Sequence, residues 1–154
     1  MFLYHINIGS NLGDSRSAIE RAVAGIFSLS QGPRRRSATV ESEPWGFASA
    51  HRFLNVGVEI TTEMSPLELL VRLQQIEKAI SPHSHRNPDG TYRDREIDID
   101  MIFALENGDP VCMSDSRLTL PHPRAIDRGF VTGPVAQLHP GIPVGELLSD
   151  CRRP

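Results

Sequence analysis

Cysteine is scarce. Cys112 and Cys151 are the only two in 154 residues. They are too few and too isolated for a disulfide framework or a thiolate metal site, and both are read as reduced thiols. Lysine is scarcer still: Lys78 stands alone, and the other basic side chains are arginines. No apolar run approaches the length of a membrane span. The opening MFLYHINIGSNLGD has no basic leader or small-residue cleavage site, so no secretory signal is expected. Positive charge is not in excess. With a net charge of −3 and a pI of about 6.0, no general pull toward nucleic acid or an anionic membrane is expected. A Gly-Lys-Ser/Thr phosphate loop is also missing, because Lys78 follows Glu77 inside a helical pattern.

What remains is an ordinary globular composition, 39% apolar and 23% charged, without repeats, low-complexity stretches or a linker. One domain over residues 1–154, acting as a cytoplasmic monomer, is the expectation. Phe2 to Ile8 reads as a strand ended by the turn-rich Gly9-Ser10-Asn11-Leu12-Gly13. Asp14 or Ser15 can cap a helix in which Ile19, Ala22, Val23, Ile26 and Phe27 recur at helical spacing. Arg34 to Ser42 reads as one further strand. Phe53 to Thr61 alternates, with Leu54, Val56, Val58 and Ile60 on one face and Phe53, Asn55, Gly57 and Glu59 on the other. Ser65-Pro66-Leu67-Glu68 combines an N-cap serine, a proline at the first helical position and a capping-box glutamate. Leu69, Leu73, Ile76 and Ile80 line one face of the helix that follows. Ser81 to Arg95 is a long polar loop, Glu96 to Phe103 a strand, Pro110 to Met113 a short pairing, and Pro123 to Leu138 holds a last helix. Strand, helix, strand, strand, helix, strand is the order of a ferredoxin-like α+β fold. It predicts an antiparallel sheet with helices packed on one side, or in three α/β/α layers.

Asp98 and Asp100 fall on one face of the last strand, with Ile97, Ile99, Met101 and Phe103 predicted on the other. Two strand rises put their Cα atoms roughly 7 Å apart. Carboxylates at that spacing can converge on one divalent cation, or on two about 4 Å apart. Oxygen donors without a thiolate favour Mg²⁺. Arg86, Arg93 and Arg95 in the loop, with Arg117, Arg124 and Arg128 beyond the strand, can grip phosphate oxygens bidentately. A loop of that kind is expected to be mobile alone and to close on a polyphosphate. Together these groups favour phosphoryl-type transfer, where positioning and charge neutralisation supply most of the catalysis. Three other segments suit a flat heterocycle: Glu41 to Phe47 around Trp45, Phe53 beside Asn55, and Phe130 beside Arg128. His122 by itself is read as making a structural hydrogen bond.

In combination, the chain resembles the hydroxymethyl-dihydropterin pyrophosphokinase family from Ile6 to about Pro140. The resemblance is carried by Ile8-Gly9-Ser10-Asn11-Leu12-Gly13, Ser42-Glu43-Pro44-Trp45-Gly46, Phe53-Leu54-Asn55 and Gln75-Ile76-Glu77. It continues through Arg95-Glu96-Ile97-Asp98-Ile99-Asp100, Leu120-Pro121-His122-Pro123 and Arg128-Gly129-Phe130. The family implies transfer of the pyrophosphoryl group of ATP to the hydroxymethyl oxygen of a dihydropterin in folate biosynthesis, with Mg²⁺ (two ions expected) and release of AMP. The resemblance makes Asp98 and Asp100 the metal ligands and puts Arg95 and Arg128 with them in catalysis. Ser42, Glu43, Pro44, Trp45, Phe53, Asn55 and Phe130 would hold the pterin. Gln74, Glu77, Arg86, Tyr92, Arg93, Arg95, Thr119, His122 and Arg128 would surround ATP. The loop departs from the family's pattern: Arg93-Asp94 precede the signature arginine where Gly-Pro is frequent, and His83, His85 and Arg86 are spread out.

Two other readings stay open on the residues alone. Another Mg²⁺-dependent nucleotidyl- or phosphoryl-transfer enzyme on this fold would keep the aspartates and arginines but has no need of Phe53, Asn55 and Phe130. A non-enzymatic ferredoxin-like module is regulatory or binds RNA; RNA binding would want exposed aromatics on the sheet face and a basic surface, and this chain is acidic overall.

Overall fold

A computed structural model describes residues 1–11, 13–42, 53–81 and 97–149. In chain order the elements are β1 (Phe2–Ser10), α1 (Ser15–Phe27), β2 (Arg35–Arg36), β3 (Val40–Ser42), β4 (Phe53–Thr62), α2 (Pro66–Ile80) and β5 (Asp98–Glu106). There follow β6 (Asp109–Pro110), β7 (Met113–Ser114), β8 (Thr119–Leu120), a 3-10 turn (Ala125–Asp127), α3 (Gly129–Leu138) and α4 (Val144–Leu147). β1 is buried from Tyr4 to Ser10 because both of its edges and both of its faces are covered. It pairs antiparallel with β4 on one side and β5 on the other, and the sheet order is β2-β4-β1-β5-β6 with β3 also on β4. This is the ferredoxin-like α+β arrangement.

The capping signals form as the side chains dictate. Asp14 accepts the Ser17 amide at the start of α1, and Ser65 and Glu68 complete a reciprocal capping box at the start of α2. Tyr4, Ile6 and Ile8 of β1, with Val56, Val58 and Ile60 of β4, meet the apolar stripes of α1 and α2 in the main core. A second, smaller core lies on the opposite face, where Ile102 and Phe103 pack against Val131 and Val135 of α3 and Leu147 of α4. Helices therefore cover both faces, in three layers.

Three local expectations change. Phe103 does not share a face with Ile99 and Met101. Ile6 lies opposite Met101 and His5 opposite Phe103, so Ile102 is an extra residue on β5. This bulge reverses the alternation, sending Phe103 to the α3 side while Met101 stays on the other. The single strand expected from Arg34 to Ser42 is two short ones, because Ser37 intervenes. Its amide donates to the Gly57 carbonyl at 2.8 Å, and its hydroxyl, in place of a backbone carbonyl, accepts the Gly57 amide at 2.9 Å. Cys112 is disulfide-bonded rather than a reduced thiol. The other cysteine, Cys151, lies outside the described residues. Spacing along a chain does not report which thiols meet in space. Among the described residues no helix is long and apolar enough to cross a membrane.

Candidate active site

The site builds up from strand register. On the α3 face of the sheet, Gly9 lies directly between Asn55 of β4 and Asp98 of β5, and Asn7 between Gly57 and Asp100. Residues opposite one another in neighbouring strands share a face, so Asn55, Gly9 and Asp98 form one polar row. Two inter-strand spacings separate its ends by roughly 10 Å at the backbone. Phe53 stands on the same face of β4, two residues from Asn55.

Hydrogen bonds lock the row. The Asn55 amide nitrogen donates to Ser42 Oγ at 2.7 Å, which pins Asn55 to β3 and turns its Oδ1 toward Gly9. A Cβ at Gly9 would stand 3.0 Å from that Oδ1 and 3.6 Å from the Phe53 ring, so the floor is flat only because position 9 has no side chain. At the far end the Glu77 carboxylate accepts the Ile99 amide at 3.0 Å, tying α2 to β5 between the two aspartates. Asp98 and Asp100 are half-buried.

His122 closes in from the segment before α3. Its amide donates to the carbonyl of the bulged Ile102 at 2.7 Å, so the bulge anchors this segment. Its Nδ1 accepts the Arg124 amide at 3.2 Å, which leaves the ring proton of the neutral form on Nε2. Burial pushes its pKa below the ordinary value and Arg128 pushes the same way, against the pull of Asp98. The charges of Arg128 and Asp98 thus both reach this ring. Arg128 precedes α3, with its guanidinium 5.8 Å from the centroid of the Phe130 ring.

The fold brings Ser42, Phe53, Asn55, Asp98 and Asp100 to one face of four neighbouring strands, β3, β4, β1 and β5, and the charges of Asp98 and Arg128 both bear on His122. Phe130 is half-buried and packs against the smaller core. Gln74 is exposed on α2, and Thr119 is exposed on β8 opposite Ser114. Glu43, Pro44, Trp45, Arg86, Tyr92, Arg93 and Arg95, and the long loop itself, lie outside the described residues. Sequence reasoning missed Asn7, which is 4% exposed and whose Oδ1 has no hydrogen-bond partner among the described residues. The alternation His5, Asn7, Gly9 in an otherwise apolar strand was the available signal.

Similarity to known proteins defines a transferase on this ferredoxin-like sheet. Residues 5–140 match the model of the 7,8-dihydro-6-hydroxymethylpterin-pyrophosphokinase family. A Porphyromonas gingivalis protein named 2-amino-4-hydroxy-6-hydroxymethyldihydropteridine pyrophosphokinase is 35% identical over 96% of this chain and 100% of its own length. One of the same name from Bacillus subtilis is 33% identical over 87% of this chain and 76% of its own. An Arabidopsis thaliana protein named folate synthesis bifunctional protein is 32% identical over 86% of this chain but 26% of its own length. The chain belongs to the 7,8-dihydro-6-hydroxymethylpterin-pyrophosphokinase family.

Proposed function

We propose that the row from Asn55 to Asp100 is where this pyrophosphokinase joins its two substrates, ATP and hydroxymethyl-dihydropterin. The observation that carries the reading is the placement of Asn55, Gly9 and Asp98 side by side across three strands. The amide end, with Phe53 and Ser42, suits a flat ring whose edge both donates and accepts hydrogen bonds. The carboxylate end suits Mg²⁺ and phosphate. The residues fit the ion: Asp98 and Asp100 offer oxygen donors on one face, and the Asn7 Oδ1 nearby lacks a partner among the described residues. Bound there, Mg²⁺ would neutralise phosphate charge and draw it to the carboxylates; we read two ions rather than one.

In the transfer, the pterin hydroxymethyl oxygen bonds to the β-phosphorus of ATP and gives up its proton to water. The bond between the β-phosphorus and the oxygen bridging it to the α-phosphate breaks, and AMP leaves. Arg128 would hold phosphate charge, and neutral His122 would donate its Nε2 proton in a hydrogen bond to a phosphate oxygen. Phe130, Gln74, Glu77, Thr119, Arg86, Tyr92, Arg93 and Arg95 would complete the substrate contacts, with Glu43, Pro44 and Trp45 at the pterin edge. We also read the chain as one domain working as a cytoplasmic monomer, without nucleic-acid or membrane partners.

Calorimetric titration with a non-hydrolysable ATP analogue, Mg²⁺ and dihydropterin tests the reading. Asp100→Ala should lower turnover at least about a hundredfold while the fold survives, since the removed charge sits close to Asp98. Near-normal turnover of Asp100→Ala at limiting Mg²⁺ would remove the carboxylates from the mechanism.

A further inference from the structure

At the C-terminal end of α3 a buried carboxylate gathers partners that the transfer chemistry leaves unused. Glu59 of β4 is 2% exposed. Its Oε2 meets His5 Nδ1 of β1 at 2.8 Å and His139 Nε2, just past α3, at 2.5 Å. Its Oε1 accepts from Arg35 Nη2 of β2 at 2.5 Å. The other terminal nitrogen of Arg35 donates to the carbonyl of Leu138, the last residue of α3, at 2.8 Å. Gln137 adds a third tie, its Oε1 accepting the Ala38 amide at 2.9 Å. α3 also rests on bare backbone, since a Cβ at Gly57 would stand 2.7 Å from Pro134 Cβ.

Two histidines and a carboxylate are also a donor set for zinc, and the three ligand atoms lie within 4.8 Å of one another. The distances decide against it. Ligands about 2.0–2.1 Å from a tetrahedral ion keep roughly 3.3 Å between themselves, whereas both nitrogens approach one carboxylate oxygen at 2.5 and 2.8 Å. Those are hydrogen-bond lengths, and Arg35 already supplies the countercharge. The far nitrogen of His5 points the same way. Its Nε2 is buried without a partner among the described residues, 2.9 Å from where a Cβ on Gly57 would stand. A proton there would be a stranded donor, so His5 is the neutral ring that donates through Nδ1 to Glu59.

We propose that Glu59, held by His5, Arg35 and His139, is a positioning group for the transfer reaction: it fixes one end of α3 so that Arg128 and Phe130, at the other end, stand at the substrate row. The helix is ten residues long, a stiff rod of about 15 Å. Freeing one end therefore swings the other. This rests on the roles given to Arg128 and Phe130 above.

Glu59→Gln and Arg35→Gln test it. The first keeps the size and removes the charge; the second alters a side chain 47% exposed and spares the core. Amide hydrogen exchange over residues 129–139 reads the tether without substrate, and steady-state kinetics read its consequence. Exchange in α3 should quicken about tenfold in both variants, with α1 and α2 unchanged. KM for dihydropterin, through Phe130, and KM for ATP, through Arg128, should each rise about fivefold or more, with a smaller fall in kcat. Unchanged exchange in both variants would overturn the tether. Faster exchange with an unchanged KM would overturn the positioning role, provided that Phe130→Ala raises KM. If Arg128→Ala and Phe130→Ala are themselves silent, the proposal falls through the reading it rests on, and the tether stands as purely structural. A Zn²⁺-induced thermal shift that His139→Phe abolishes would overturn it in favour of a metal site.

Discussion

At position 9 a single methyl group separates a flat floor from an obstructed one. Alanine there would bring its Cβ to 3.0 Å from Asn55 Oδ1, so Asn55 must turn and loosen its hold on Ser42. Gly9→Ala should weaken dihydropterin binding on the order of tenfold, the effect of one disturbed buried hydrogen bond, and leave the ATP analogue nearly unaffected. Asn55→Leu makes the same cut from the other side: the amide is lost but the volume is kept. Its cost should be about 1 to 3 kcal/mol in pterin affinity, measured by calorimetry. Equal losses for both ligands in either variant would mean that the amide end of the row does not read the ring.

Elements meet across the sheet through small residues and one irregularity. α3 lies against β4 at Gly57, where a methyl group would find Pro134 Cβ at 2.7 Å and the His5 ring at 2.9 Å. Both neighbours are buried, so neither yields cheaply. Gly57→Ala should destabilise the fold by about 1 to 3 kcal/mol in denaturant titration, the range for overpacking a core. The β5 bulge works differently. It leaves Asp98 and Asp100 on the row, turns Phe103 toward α3, and offers the Ile102 carbonyl to the His122 amide. One extra residue thus joins the polar row to the smaller core. The α2 capping box is worth about 1 kcal/mol by comparison, which Ser65→Ala should remove without touching activity.

The molecule as a whole should lose stability in acid in two stages, both set by the buried cluster. Burial holds the His5 pKa below its ordinary 6.5, outweighing the opposing hydrogen bond to Glu59. The unfolded chain therefore binds a proton at His5 more readily than the folded one. Stability from this group is complete above pH 6.5 and erodes as the pH falls through the folded value. Glu59 follows lower down. Burial would raise its pKa, but the hydrogen bonds from His5, His139 and Arg35 prevail and hold it at about 2, against an ordinary 4.5. Its contribution is present above pH 4.5 and lost toward pH 2. Denaturant midpoints measured from pH 8 to pH 3 should fall from about pH 6.5 downward, and Glu59→Gln should flatten the lower part of that decline. A midpoint that holds steady to pH 4 would show that His5 takes its proton in the folded state at no cost.

Local geometry made much of this legible before any fold was known. The alternation of β4, the capping box of α2, and the common face of Asp98 and Asp100 follow from periods of 2 and 3.6 residues and from side chains that bond to their own backbone. The order of elements was enough for the antiparallel ferredoxin-like sheet. Only the tertiary structure decided the rest. The face of Phe103 depends on a bulge, which no pattern within β5 announces because it exists only relative to the register with β1. Asn7 and Gly9 join Asn55 and the aspartates through pairing between strands distant in the chain. Glu59 meets His5 across 54 positions and His139 across 80, and nothing near any of the three marks it for the others. Spacing along the chain encodes which way a side chain points within its own element; which side chain it then meets is set by register and packing, and those are properties of the folded whole.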